Sequence, residues 1–451
     1  MQQFQPEKIH SCNFNQDNTC LSLATTHGYR IFSIAANAQH NDAIGLIHSS
    51  VIQADTYDVD GKGKGGVQIA KMLYCTSLLA IVYANNPRLL SIEDASAGNA
   101  TTATKSPNGN TVRCERAFGS RIIRVELNRR RLVVLTSDGL LHVFDLSSMR
   151  LLKSLCVSLN AIPTSTSVSD DVVMNDFMPL CNSFALSNAE TAQSNWLVCR
   201  NAENVGAIQV YNTIGVRMEN MAKVHVGEIQ AMSIGPGKSE LLATASTKGT
   251  VIRVWSLPDC RALYSFRRGR NPCTVYSLAF NLTNSRLAVS SNSGTVHLFA
   301  LTSSQSSTAA AASIEDGTIG LEAEEAYPES SPSYSQTTRK RAIKNPIFSQ
   351  CRSYAKIRLK PEVTGNALSK SKSSIPKNML AIVSSQSDTA IEHVVVASSA
   401  GTVQTFRVNY TEDKSCSCAK VDVIGADDLL GLVEDRNDNN DGVILRSRQS
   451  V

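Results

Sequence analysis

The chain has 451 residues, of which 42% are hydrophobic and 18% are charged, as in ordinary globular proteins. Its formal net charge of +5 argues against general nucleic-acid binding, so an anionic partner would have to meet a local basic patch. No stretch approaches the ~20 apolar residues of a membrane-spanning helix, and the N-terminal MQQFQPEKIH lacks the basic and apolar regions of a signal peptide. These features predict a cytosolic protein.

The 12 cysteines are scattered, mostly singly, within apolar runs. The closest pair, Cys416 and Cys418, has neither the CxxC spacing of a redox motif nor the spacing of zinc ligands. Cysteines such as Cys20, Cys75, Cys156 and Cys199 are therefore expected to be buried free thiols in a reducing compartment. We expect neither a metal nor a cofactor.

A strand–turn–strand pattern recurs along the chain and is the clearest structural signal. Its seven instances cover residues 20–34, 78–92, 131–146, 195–212, 240–257, 286–301 and 393–408. Each joins two apolar, β-prone runs through a small polar turn. The turn glycine Gly206 precedes Gly249 by 43 residues, and Gly249 precedes Gly294 by 45. A repeat of ~40–45 residues is typical of a four-stranded propeller blade, so we predict an all-β, seven-bladed propeller; two stacked β-sandwiches are the alternative.

Residues 302–351 interrupt this repeat. They are rich in Ser, Ala, Thr and Glu and end in the basic RKRAIKNPIF of residues 339–348. Such a composition buries too little apolar surface to offset its ordering entropy, so a long disordered loop is expected in blade six. The following YAKIRL, residues 354–359, is expected to complete that blade. We predict one propeller domain over residues 1–425 and an acidic, disordered tail over 426–451.

The segment SFRRGRN, residues 265–271, concentrates positive charge in a turn between apolar runs. Adjacent residues of an extended chain point to opposite sides, so Arg267 and Arg268 are expected to serve two separate anion pockets. The flanking hairpins offer hydroxyls, cations and glycine-turn backbone amides, which suit a phosphorylated inositol ring. A solvated surface turn is the alternative. No nucleophile elbow, phosphate-binding glycine loop or HExxH motif is present, so an enzyme is not predicted.

Phe-Arg-Arg-Gly at 266–269 is accompanied by four longer segments of the chain, at residues 14–32, 124–155, 241–255 and 275–299. In these segments the chain resembles the PROPPIN family of seven-bladed propellers that bind phosphoinositides in autophagy. The resemblance implies binding of phosphatidylinositol 3-phosphate and phosphatidylinositol 3,5-bisphosphate at two sites that flank the arginine pair. Site one would comprise Arg267 with His225, Ser246, Lys248, Thr250 and Arg253. Site two would comprise Arg268 with Ser291, Thr295 and His297. The third arginine of the turn, Arg270, has no assigned role.

The resemblance also implies membrane contact through the blade-six loop. The basic end of that loop mixes cations with apolar residues, which favours attraction to anionic headgroups over deep insertion. Its expected membrane-contact residues are Arg339, Lys340, Arg341, Lys344, Ile347 and Phe348. The Ser-rich part of the loop is a candidate for phosphorylation, and the added charge would oppose docking.

Further expectations concern partners and location. The resemblance implies a protein that is monomeric in solution and binds the lipid-transfer protein of autophagosome growth, together with other autophagy proteins. It would be cytoplasmic and recruited peripherally to the phagophore and to endosomal or vacuolar/lysosomal membranes. Residues 95–110, expected to join blades two and three, are a candidate docking loop. The alternative function is a protein-interaction scaffold in endosomal or vacuolar traffic with subsidiary lipid binding.

Overall fold

The structure is a computed structural model that describes residues 7–34, 44–51, 66–96, 104–158, 182–188, 195–236, 241–301, 351–359, 377–384, 391–410 and 416–425. The regular elements within these ranges are all β-strands. They form seven sheets, six of four strands and one of five, which are the blades of a propeller numbered here in chain order. The predicted class and the seven blades are confirmed.

Each blade is formed mainly by consecutive strands. Blade one contains β1 (Ile9–Phe14), β2 (Cys20–Thr25), β3 (Gly28–Ile34) and β4 (Ile44–Val51). Blade two contains β5 (Val67–Met72), β6 (Leu78–Tyr83), β7 (Leu89–Asp94) and β8 (Thr111–Ala117). Blade three contains β9 (Ile122–Leu127), β10 (Arg131–Thr136), β11 (Leu140–Asp145) and β12 (Leu151–Cys156). Blade four contains β13 (Phe184–Leu186), β14 (Trp196–Arg200), β15 (Ala207–Asn212) and β16 (Arg217–Lys223).

Blades five and six share the chain segment that follows residue 350. Blade five contains β17 (Ile229–Ile234), β18 (Leu241–Ser246), β19 (Val251–Ser256), β20 (Ala262–Arg267) and β24 (Cys351–Arg352). Blade six contains β21 (Val275–Phe280), β22 (Arg286–Ser291), β23 (Thr295–Ala300) and β25 (Ala355–Arg358). Blade seven contains β26 (Asn378–Ser384), β27 (Ile391–Ser398), β28 (Val403–Tyr410) and β29 (Cys416–Ile424).

The seven predicted hairpins are the second and third strands of the seven blades. These middle strands are covered on both faces by neighbouring blades, which explains their nearly continuous apolar sequences. In blade three, for example, every residue of β10 is buried, whereas the outer strand β12 is largely exposed. The repeat was visible in the sequence because the most buried strands carry it.

The hydrophobic core lies between blades. Phe266 of blade five packs with Phe299 of blade six in one cluster. Phe32 of blade one and Val395 of blade seven belong to another, which closes the ring. Blades one and seven contain strands from opposite ends of the described chain and exchange none, so side-chain packing holds this seam.

Strand pairing confirms one prediction about the insert and modifies another. β25 pairs with β23 and completes blade six, as predicted for residues 354–359. Cys351, however, already belongs to β24, which pairs with β20 of blade five. Residues 302–350, with the predicted membrane-contact residues, lie outside the described residues, as does the predicted tail at 426–451.

Two smaller predictions were wrong. Residues 95–110 follow β7 and precede β8, so they connect two strands of blade two and do not join blades two and three. Cys75 and Cys156 are exposed, whereas Cys20 and Cys199 are buried as expected. Cys75 lies in the turn before β6 and is exposed, although its Sγ lies 3.7 Å from Sγ of Cys20 in blade one, and Cys156 ends the outer strand β12.

Candidate anion-binding sites on blade five

The arginine pair lies at the end of β20. Phe266 is buried and stacks on Phe299 of blade six, with ring centroids 4.7 Å apart. Because side chains alternate along a strand, the exposed Arg267 points away from blade six, toward blade four. Arg268 follows the strand, and its backbone N–H donates to the Thr250 carbonyl at 2.9 Å. Its side chain is only 8% exposed. The two arginines thus differ in both direction and burial.

The turn between β18 and β19 supports this arrangement. Gly249 has a φ of +61°, in the left-handed region that favours glycine. Its carbonyl accepts a hydrogen bond from Nε of Arg268 at 2.7 Å. A Cβ at this position would lie 2.1 Å from the Cys273 carbonyl oxygen. Close backbone packing at Gly249 therefore positions the carbonyl that holds the Arg268 side chain.

Site one lies on the side of blade five that faces blade four. Arg253 pairs with Ser265, which is two residues before Arg267, so both arginines lie on the same face. Nη1 of Arg253 donates to the Val224 carbonyl at 2.6 Å. It also lies 3.4 Å from Nδ1 of His225, the residue that follows the last strand of blade four by two positions.

His225 is engaged at both ring nitrogens and is only 3% exposed. Arginine can only donate, so Nδ1 accepts from Arg253 and the ring proton lies on Nε2, which is 3.0 Å from Oγ1 of Thr244. Burial, reinforced by the charge of Arg253, lowers the pKa of His225 to about 3. The neutral imidazole therefore orients Arg253 and carries no charge of its own at neutral pH.

The other predicted residues of site one surround the same turn. Ser246 ends β18 and is buried, Lys248 is exposed in the turn, and Thr250 is half-buried before β19. Val251, the next residue, pairs with Arg267. The structure thus brings the three predicted turn residues to the edge of blade five where Arg267 lies.

Site two lies between blades five and six. Nη2 of Arg268 donates to the Asn271 carbonyl at 2.6 Å. His297 is buried, and its Nδ1 lies 3.1 Å from Oγ of Ser353. Burial, together with the nearby charges of Arg268 and Lys356, lowers the pKa of His297 to about 4. This histidine is also neutral at neutral pH.

The hydroxyls predicted for site two lie on the β22–β23 hairpin. Ser291 is buried, with its Oγ 2.8 Å from Oγ of Ser293. The Ser291 side chain also hydrogen-bonds to the Cys273 thiol. Cys273 lies between β20 of blade five and β21 of blade six, so Ser291 lies at the boundary of these two blades. Thr295 is half-buried at the start of β23 and pairs with Arg358.

Three contributors were missed by the sequence analysis. Thr244 accepts a hydrogen bond from the Trp255 indole at 2.9 Å and contacts His225. Ser353 contacts His297, and Lys356 pairs with His297 on the adjacent strand. The strand pattern of residues 354–359 was visible, but its register against β23 was not, so nothing in the sequence linked Ser353 or Lys356 to site two.

Together these residues form two cationic regions on either side of blade five. Each combines an arginine with hydroxyl groups and a neutral imidazole, a set of donors suited to phosphate oxygens.

Within the described ranges, no group of three or more metal-ligating side chains occurs. The same part of the chain contains no helix able to cross a bilayer.

Comparisons with known proteins agree with the fold. The PROPPIN family model matches residues 9–422. The chain is 32% identical to autophagy-related protein 18 of Yarrowia lipolytica over 312 residues, 67% of this chain and 68% of that protein. It is 32% identical to the Mycosarcoma maydis protein of the same name over 310 residues, 65% of this chain and 59% of that protein. The matched regions therefore leave 32% of the first relative's length and 41% of the second's uncovered.

Solved structures also share this fold. Kluyveromyces lactis Hsv2 superposes with a TM-score of 0.59 at 17% identity, covering 93% of this chain and 100% of that one. KlAtg21, in complex with the coiled coil of AgAtg16, gives a TM-score of 0.59 at 20% identity, covering 93% of this chain and 99% of that one. At this level of identity the similarity concerns the fold alone.

Proposed function

We propose, from the premise that this chain belongs to the PROPPIN family, that it binds phosphatidylinositol 3-phosphate and phosphatidylinositol 3,5-bisphosphate at the edge of its propeller. The chain is an autophagy-related β-propeller. As a peripheral effector and scaffold, it would act in autophagosome formation through binding and not through catalysis. The observation that carries the proposal is the arginine pair, one residue facing blade four and the other buried toward blade six.

The chemistry of each site supports a phosphorylated inositol ligand. Arginine keeps its charge at every physiological pH and binds phosphate oxygens through a planar fork of donors. On the blade-four side, Arg267 supplies exposed charge and Arg253 is held by His225. On the blade-six side, Arg268 is anchored by two backbone carbonyls beside His297. Two headgroup sites on one edge would place that edge against the bilayer.

Membrane recruitment would then be multivalent. Two modest headgroup contacts combine with attraction between the basic 339–348 segment and anionic lipid, so weak individual affinities add to useful binding. Recruitment to the phagophore and to endosomal or vacuolar membranes follows from where the 3-phosphorylated lipids occur. Partner proteins, including the lipid-transfer protein of autophagosome growth, would dock on surfaces away from this edge.

A scaffold role with subsidiary lipid binding is the second candidate. It is favoured by the structural neighbour KlAtg21, which was solved with a coiled coil of AgAtg16. The two candidates differ in whether membrane recruitment depends on the arginines, and a vesicle experiment separates them.

Flotation with vesicles containing phosphatidylinositol 3-phosphate tests the primary proposal. Replacing Arg267 by Thr removes an exposed charge, and we expect affinity to fall roughly tenfold or more, as for loss of a hydrogen bond to a charged group. Arg217→Thr, at an exposed position on the outer strand of blade four, is the matched control and should bind as the wild type does. The double variant Arg267→Thr/Arg268→Thr should lose binding altogether.

Thermal unfolding must accompany the double variant, because Arg268 is buried and holds two carbonyls. A folded double variant that floats like the wild type would refute phosphoinositide binding through these sites.

A further inference from the structure

β24 joins the chain segment that follows the insert to the site-one edge of blade five. It pairs in parallel with the end of β20, with Cys351 opposite Phe266 and Arg352 opposite Arg267. Three residues after Arg352 the chain enters β25 of blade six. The segment 351–355 thus crosses from one blade to the next directly beside the arginine pair.

The register determines where Arg352 points. Residues paired across neighbouring strands project from the same face of a sheet. Phe266 projects toward blade six and stacks on Phe299 there. Arg267 projects the other way, toward blade four, and Arg352 shares its face. Both arginines are exposed.

Two guanidinium groups therefore lie on adjacent strands, whose backbones are about 4.8 Å apart. The register brings both cationic side chains to one face of this strand pair. A phosphate monoester offers several oxygens, so one such group can accept hydrogen bonds from two arginine forks at once.

We propose that Arg352 is a further ligand of site one and binds the same phosphate group as Arg267. The inference rests on the proposed function, since it takes the ligand to be a phosphorylated inositol. The ligand chemistry is a phosphate monoester with two negative charges, from either a lipid headgroup or a free inositol phosphate.

The test compares Arg352→Gln with wild type in three binding assays. The probes are vesicles with phosphatidylinositol 3-phosphate, soluble inositol 1,3-bisphosphate measured by calorimetry, and vesicles with phosphatidylserine only. We expect Arg352→Gln to weaken the first two interactions about fivefold, the effect of roughly 1 kcal/mol at an exposed ion pair. Binding to phosphatidylserine should be unchanged. Arg217→Gln removes the same charge from blade four and should leave all three measurements unchanged.

A double-mutant cycle tests whether the two arginines share one phosphate. Residues that bind the same phosphate group are energetically coupled. The combined effect of Arg267→Gln and Arg352→Gln on affinity should therefore differ from the product of the two separate effects. Multiplicative effects would overturn the shared-phosphate assignment.

The remaining outcomes separate this inference from the proposed function. If wild type binds the inositol probes and Arg352→Gln binds equally well, the inference is wrong while the proposed function stands. An equal loss of phosphatidylserine binding would reveal general attraction to anionic surfaces and would also overturn it. If wild type binds neither inositol probe, the proposed function fails, and the inference fails with it.

Discussion

At the scale of single residues, neighbours in sequence have different physical roles. Arg267 is exposed at the end of β20, where a ligand can reach it. Arg268 is 8% exposed and donates to the carbonyls of Gly249 and Asn271, so it also holds the fold. The site histidines resemble Arg268 in this respect: His225 and His297 are both buried, and burial keeps both neutral. Loss of function in a variant at Arg268 must therefore be read together with its stability.

The two histidines predict a specific dependence of stability on pH. Burial lowers the pKa of His225 from its ordinary 6.5 to about 3 and that of His297 to about 4. Between pH 6.5 and pH 4 the unfolded chain therefore binds more protons than the folded protein. The free energy of unfolding should fall as pH decreases through this window, by up to about 1.4 kcal/mol per pH unit for each histidine.

Urea unfolding at pH 7, 6 and 5 measures this slope. The double variant His225→Gln/His297→Gln should have a clearly flatter pH profile than the wild type. Equal slopes for the two proteins would show that other groups dominate the titration.

At the scale of elements, the β18–β19 turn of blade five determines the geometry of both sites. It contains Lys248 and Thr250 of site one, and its Gly249 carbonyl anchors Arg268 of site two. One local change in this turn should therefore affect both arginines, although they lie on opposite faces.

Substitution of Gly249 by Ala tests this role of the turn. The alanine would have to adopt a left-handed φ, and its Cβ would lie 2.1 Å from the Cys273 carbonyl oxygen. We therefore expect the free energy of unfolding to fall by about 3 kcal/mol and headgroup binding to weaken. Gly109→Ala is the matched control: its φ is +79°, but no atom of the described residues lies within 4 Å of the added Cβ. It should cost about 1–2 kcal/mol, the left-handed strain alone, and leave binding intact. Equal costs in urea unfolding would contradict the role of close packing at Gly249.

At the scale of the whole molecule, the ring is closed by packing between its first and last blades. Phe32 is fully buried in the cluster that joins blade one to Val395 and Ala381 of blade seven. Among the residues that the structure describes, these blades exchange no strand, so no hydrogen-bonded ladder joins them there. Its stability depends on how well these side chains fill the space between two sheets.

Truncation of Phe32 to Ala should therefore cost about 3–5 kcal/mol in the free energy of unfolding, as for other buried aromatic residues. Leu151→Ala, at a side chain 49% exposed on blade three, should change it by less than about 0.5 kcal/mol. Headgroup binding of the folded Phe32 variant should be unchanged, because the seam is remote from blade five. A loss below 1 kcal/mol would mean that the seam does not limit stability.

The local features of this protein could be predicted from its sequence, because they depend on short-range rules. The seven hairpins were evident since the middle strands are buried on both faces and carry apolar residues almost without interruption. The opposite directions of Arg267 and Arg268 follow from the two-residue period of an extended chain. The left-handed glycines, Gly249 among them, marked the turns that close the hairpins.

Only the tertiary structure determined what each side chain meets. It established that Arg268 is buried, that His225 uses both ring nitrogens, and that Thr244 and Ser353 contact the site histidines. It also placed Arg352 opposite Arg267, although 84 residues separate the two in sequence. Register across such a distance depends on the packing of neighbouring blades, which no local pattern encodes.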